Sequence, residues 1–418
     1  MTVKRVAIFR AFESVDSQLG YTVALLSEEG FHVDLFLHQC DMELFQISDE
    51  EKIGVYQIDG YVMGMPRRRM QACVKRIKSW IEHSKMLPPT IRLRALLRKI
   101  KPEFMLPGAT RLIPSKLIEE AIKVVDDGNY VCLIGVEKAG LIWAGMVGER
   151  TGLPWIYHSL ELFTSDNDFV TDYYARYRKA EKLYHQKAVA TIIQDQERAD
   201  VLFKDNEIQN GKALFVPVSI MGEALRERSD YLRKKHDIPR NKVVVLQFGQ
   251  INEWRLCKEI MLEACDVNQD IVLIMHGVFS EGKQQYMHTS SGGMVILSDK
   301  LVPYSEVGKL ISSADIGLVF YRKSPLNQYL TGSASEKLAL YLQAGVPVIM
   351  FDYPSFRQLN DKYQFGVCIG ELRELEQAIA TILDNYSYYR DNAFAAFTDH
   401  YEFRRNFEKV IDYIDSLE

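Results

Sequence analysis

No stretch of this 418-residue sequence approaches the roughly 20 consecutive apolar residues that a membrane-spanning helix needs. The opening residues, MTVKRVAIFRAF, include basic side chains, but the apolar run at 6–9 is too short for the core of a secretory signal. Cysteine is sparse: the six, at 40, 73, 132, 257, 265 and 368, form no C-x-x-C pair and adjoin no ladder of histidines. That argues against structural zinc and for a reducing compartment, so a cytoplasmic protein is expected. Neither G-x-G-x-x-G nor G-x-x-x-x-G-K-[ST] occurs, which weakens a dinucleotide-binding or Walker-type assignment. Acid is scarce in one place. Between residues 65 and 102, twelve lysines and arginines stand against a single acid, Glu82.

The remaining composition is ordinary for a soluble globular protein, with 47% hydrophobic and 26% charged residues. The length suggests two or three domains. Segment 65–102 carries a net charge of +11, which leaves the rest of the chain at −16 against an overall −5. Such asymmetry points to an anionic partner for one surface. Within it, Met70, Cys73, Val74, Ile77, Trp80 and Ile81 form an apolar stripe, with Arg69, Lys75, Arg76 and Lys78 outside it. An apolar face with basic flanks suits an anionic membrane surface. The alternative is that the stripe packs on the domain core and the charges are solvated. Nucleic acid is not expected, because aromatics are not interleaved with the bases.

Along the chain, apolar strands alternate with helical stretches. RVAIF, HVDLFL, YVCLIGV, LPWIYH, ATIIQ and ALFVPV are strands of a first series, and KVVVLQFG, DIVLIMHG, MVILSD and IGLVF begin a second. Strands separated by helices of this length imply parallel sheets covered on both faces. The expected fold is α/β, two tandem Rossmann-like, doubly wound domains facing a cleft. Their bounds are placed at 1–220 and 240–398, with the charged stretch 221–237 as a joint. Residues 399–418 form a last helix, whose stripe Phe403, Phe407, Val410, Ile411 and Ile414 is expected to pack back towards the first domain.

Residues 332–352, GSASEKLALYLQAGVPVIMFD, concentrate the chemistry. Ser333 and Glu336 match an S-x-x-E capping box, Leu338, Tyr341 and Leu342 recur at helical spacing, and Gly345 sits where a left-handed C′ residue is wanted. A buried strand follows at 346–350. A helix start at the edge of a parallel sheet attracts phosphate, although a plain capped helix would read the same. Two other strand ends point the same way. Gly249 and Gln250 lead to Arg255, and His276 with Gly277 ends DIVLIMHG; glycine lets backbone approach a ligand, and arginine suits a diphosphate.

In order and spacing, YLRKKHDIPRNKVVVLQFGQI, LIMHG, VPYSEVGKLISSADIGLVFY and SEKLALYLQAGVPVI resemble the catalytic half of GT-B glycosyltransferases of the family 4 type, including bacterial polysaccharide enzymes. LLSEEGFHVDLFL and GLPWIYHSLELF are similar, more loosely, to the acceptor half. The resemblance implies a nucleotide-sugar donor held by the second domain, a saccharide or lipid-linked acceptor held by the first, and UDP as product. It implies no resident cofactor and no metal. Arg255 falls where the family has a diphosphate-binding lysine, and Gln250 where an arginine is usual. Ser335, Glu336 and Lys337 fall on the turn for the distal phosphate, with Ser333 beside them and Gly249 and His276 on the neighbouring strand ends. The family's E-x7-E pair would fall on Gly332 and Leu340, neither acidic. Lys337 instead resembles an S-x-K variant, in which the lysine stabilises the departing diphosphate. On the acceptor side, Glu13 and Glu137 follow strands, while His158 and Glu161 lie in YHSLELF. A histidine or carboxylate there could serve as general base, and His158 could equally be a buried, hydrogen-bonded ring. The expected activity is sugar transfer. The rivals are a nucleotide-sugar epimerase on the same double fold and a catalytically silent partner subunit, which the missing acidic pair makes thinkable.

Overall fold

Strand β1 (Arg5–Arg10) begins the first of two parallel sheets, and Val6 to Phe9 are wholly buried within it. The computed structural model describes residues 3–11, 16–37, 53–57, 61–62, 65–66, 112–164, 172–265, 270–280, 282–287 and 294–417. Glu13, the stripe at 70–81 and the basic residues from Arg67 to Lys101 lie outside the described residues.

The first sheet adds β2 (His32–Leu37) and β3 (Ile53–Gln57) on one side of β1. A short antiparallel ribbon of β4 (Tyr61–Val62) and β5 (Met65–Pro66) stands apart. On the other side of β1 come β6 (Tyr130–Val136), β7 (Trp155–His158), β8 (Ala190–Ile193) and β9 (Ala213–Phe215), giving the order β3-β2-β1-β6-β7-β8-β9. Buried polar side chains interrupt this apolar sheet, Asp34 among them. Asp34 in β2 is fully buried and accepts from Arg5 Nη2 at 2.7 Å and from the Tyr130 hydroxyl at 2.5 Å, which offsets the cost of burying its charge.

The second sheet contains β10 (Val243–Ile251), β11 (Ile271–Phe279), β12 (Met294–Ser298), β13 (Ile316–Val319), β14 (Val348–Phe351) and β15 (Gly366–Ile369). Its order is β12-β11-β10-β13-β14-β15, and every paired strand runs parallel. Alternation along β10 sends Val244 and Leu246 into one apolar layer with Leu338 and Leu342, and Val245 into the other with Ile260 and Ile379. The order reverses between β10 and β13, and ligands of doubly wound sheets bind at such a switch, beyond the carboxyl ends of the strands.

Contacts divide the chain into two units: Met1–Ile193 with Ala199–Leu214 and Glu408–Glu418, and Gln194–Arg198 with Phe215–Phe407. The stretch read as a joint, 221–237, is part of the second unit. Leu232 is fully buried, and Asp315 collects Arg228, Arg233 Nη2 at 2.7 Å and the Val244 amide at 2.7 Å. The last helix, Phe403–Asp415, starts in the second unit and ends in the first. There Tyr413 donates to the Val189 carbonyl at 2.9 Å and Lys4 pairs with Asp415 at 2.9 Å.

Candidate functional site

At the end of β10 the backbone turns through Gly249 at φ +103°, opposite Gly277 of β11 at φ +144°. A Cβ on Gly277 would lie 1.7 Å from the Gly249 carbonyl oxygen, so only glycine lets the two strand ends close together. The chain then reaches Asn252, whose side chain accepts from the Arg255 amide at 3.2 Å and caps the single turn Glu253–Arg255. The turn delivers the Arg255 guanidinium to the face of Tyr321, 4.3 Å from the ring centroid. Tyr321 lies just beyond β13, on the far side of the switch point. Arg322 ties the two loops together, bonding the Glu253 carbonyl at 2.8 Å and the Glu259 carboxylate at 2.7 Å.

The helix Glu336–Gln343 begins beside them. Its cap is Ser335, whose hydroxyl accepts from the Leu338 amide at 3.2 Å. This corrects the expected box of Ser333 with Glu336. The preceding turn is held from outside: the Ser333 carbonyl accepts from the Val218 amide at 2.8 Å, and the Ser333 hydroxyl pairs with His400 at 3.2 Å. Tyr401 donates to the Gly332 carbonyl at 2.8 Å. Ser335, not Ser333, takes the N-cap. Gly345 adopts φ +61° after the helix, as its position implied.

Lys337 lies in the first turn of this helix and is buried. Its Nζ stands 5.1 Å from the Tyr321 ring centroid. With the Gln247 amide assigned to satisfy both neighbours, Gln247 accepts from Nζ at 3.1 Å and donates to the Leu318 carbonyl at 3.1 Å. Burial, and then the nearby charge of Arg255, push the Lys337 ammonium down to about 7. A buried lysine, an arginine and the start of a helix meet at one strand switch. This arrangement suits an anion that supplies the missing negative charge.

The other expected donor residues take varied places. Gln250 is exposed and accepts from Asn252 Nδ2 at 3.2 Å. His276 is buried, stacks on Phe248 and pairs with the Ser298 hydroxyl at 2.9 Å; burial lowers it to about 4, so it is a neutral ring inside the sheet layer. Glu336 accepts from the Tyr304 hydroxyl at 3.4 Å. The missing acidic pair has a steric reason. A Cβ on Gly332 would meet the Ser355 carbonyl oxygen at 2.6 Å, and Leu340 is a core residue. Gln247 and Tyr321 escaped the sequence analysis. A glutamine inside the apolar run VVVLQFG was the one available signal, because a buried amide needs partners.

In the first unit, β7 delivers His158 into a buried position near Arg10 and Asp16, which pair with each other at 2.7 Å. Burial is the main cause that holds His158 down to about 4, so the ring is neutral at pH 7. Glu161 is exposed. Glu137, at φ +59° and buried, turns its carboxylate inward to accept from the Leu160 and Glu161 amides at 2.7 and 2.9 Å. It organises the loop that carries Glu161. Among the described residues no group of three or more His, Cys, Asp or Glu is placed to hold a metal ion. The sequence also holds a D-x-D, Asp166-Asn167-Asp168, which lies outside the described residues.

Two doubly wound units, the second with this cationic switch-point site, define the GT-B fold, and solved structures agree. HepE from Anabaena, solved with UDP-glucose, aligns with TM-score 0.63 at 12% identity over 99% of this chain and 100% of its own. Sucrose-phosphate synthase from Thermosynechococcus elongatus aligns with TM-score 0.63 at 13% identity, over 100% of this chain and 99% of its own. A putative UDP-N-acetylglucosamine 2-epimerase from Listeria monocytogenes gives 0.58 at 12%, over 100% and 96%. More particularly, residues 269–397 match the family model described as Glucosyltransferase 3-like, C-terminal domain. Comparison with curated proteins gives no match. The solved structures show the GT-B fold, and the partial family match is consistent with a GT-B glycosyltransferase. Among the described residues no helix is long and apolar enough to cross a membrane.

Proposed function

We propose that the protein transfers a sugar from a UDP-sugar to a saccharide or lipid-linked acceptor. The observation that carries this is the convergence of Arg255 and Lys337 at the start of the helix Glu336–Gln343, beside glycine-lined strand ends. In the reaction the bond from the anomeric carbon to the diphosphate oxygen breaks, the acceptor oxygen bonds that carbon, and the acceptor proton leaves to a base. Preorganised cations at the leaving oxygen stabilise the charge that develops there. Arg255 and Lys337 supply them, with the helix amides adding a partial positive charge. In the first unit, buried His158 and exposed Glu161 are the candidates for the base that takes the acceptor proton. The UDP-sugar is a substrate, and the scheme uses no resident cofactor. The charge of segment 65–102 supports a cytoplasmic enzyme that docks on anionic lipid, where a lipid-linked acceptor resides.

The fold likeness to an epimerase keeps a second activity in view, and one experiment separates them. Incubation with UDP-sugars should release UDP only when an acceptor is present. An isomerised sugar without acceptor would instead establish an epimerase, and absence of UDP-sugar binding would establish a silent subunit. Sedimentation with anionic but not neutral vesicles, reversed by salt, tests the membrane reading.

A further inference from the structure

Arg255 and Lys337 repel one another, and burial of Lys337 sharpens the conflict because little water screens it. Both cations nevertheless face a single aromatic ring. We propose that Tyr321 is a positioning residue that holds the two cations together and fixes the helix start beside them, so that the site is ready for a diphosphate. The proposal rests on the donor reading above.

Three features support it. The Arg255 Cζ and the Lys337 Nζ lie 4.3 and 5.1 Å from the ring centroid, both within the roughly 6 Å reach of a cation–π attraction. The ring is 6% exposed, and desolvation strengthens that attraction. Its hydroxyl lies 2.7 Å from the Ser335 hydroxyl, which caps the Leu338 amide, so one side chain touches both cations and the cap. The ring is itself locked: Phe356 stacks on it with centroids 6.1 Å apart, and Tyr353 donates to the Tyr321 carbonyl at 2.7 Å. The other groups facing Lys337 do not offset its charge. Gln247 is uncharged, and burial keeps the Cys257 thiol protonated.

The test uses the full chain with Tyr321→Phe, Tyr321→Leu, and Tyr321 replaced by pentafluorophenylalanine, which keeps the ring but reverses the electrostatics of its face. UDP-glucose affinity is measured calorimetrically from pH 6 to 8.5. Removing the ring or reversing its face should cost about tenfold in affinity. It should also move the midpoint of the pH dependence down, because Lys337 then loses its proton more readily. Tyr321→Phe should lose about threefold through the Ser335 contact and keep the midpoint. A ligand-free readout is the pH dependence of thermal unfolding. Lys337 holds its proton less tightly in the folded chain than in the unfolded one, so its contribution to stability rises with pH above its folded pKa. That rise should begin at lower pH in the pentafluorophenylalanine protein and not in Tyr321→Phe. If the wild type binds no UDP-glucose, the donor reading fails and the unfolding profile alone decides the role of Tyr321. Unchanged midpoints in the pentafluorophenylalanine protein, or the same shift in Tyr321→Phe, would overturn the proposal.

Discussion

If Lys337 meets the donor diphosphate as proposed, raising the pH from 6.5 to 8.5 should weaken donor binding, because that lysine sits near neutrality. Burial and Arg255 bring the Lys337 ammonium down to about 7. The UDP-glucose diphosphate keeps its charge over this range, so the titration belongs to the protein. If the ammonium is required, the binding-competent fraction falls from about three quarters to about three hundredths, a loss of affinity of about 25-fold. By linkage, bound diphosphate must raise the lysine's proton affinity. Calorimetry in buffers of different ionisation enthalpy should therefore report uptake of about half a proton at pH 7 and nearly a full one at pH 8.5. Lys337→Arg should flatten the profile, because a guanidinium keeps its proton throughout. An affinity constant within twofold across the range, with no proton uptake, would refute the placement of Lys337 at the phosphate.

Gly277→Ala should destabilise the protein by about 3 kcal/mol or more in denaturant titration, since the new methyl meets the Gly249 carbonyl at a backbone angle disfavoured for alanine. Gly332→Glu, which restores the acid of the wider family, should lower activity and melting temperature together, because the Ser355 backbone occupies the space of its Cβ. His158, His185 and His276 are held down by burial to about 4, 3 and 4. Their folded values lie below the unfolded one, so the stability they contribute is complete above about pH 6.5 and is lost as pH falls towards 4 and then 3. Calorimetric melting temperatures should drop over that window, and a flat profile would show that these rings titrate freely.

Local signals in the sequence determined much of this protein. Apolar runs such as HVDLFL and YVCLIGV are strands to the residue, because a strand buried on both faces writes its length as hydrocarbon. Gly345 ends its helix in the left-handed region, which its spacing alone required. Arg255 and Lys337 were legible through order and spacing along the chain. The tertiary structure decided what depends on distant partners. Ser333 and Ser335 are equally good caps in isolation, and in the structure Val218 and His400 engage Ser333 while Ser335 takes the role. Likewise the absence of acids at positions 332 and 340 traces to the Ser355 backbone and the core. Gln247 and Tyr321 sit 74 residues apart and become one site with Lys337 only because strand order reverses between β10 and β13. No local pattern encodes that neighbourhood, since a side chain's partners across a switch point are set by how the sheet is wound.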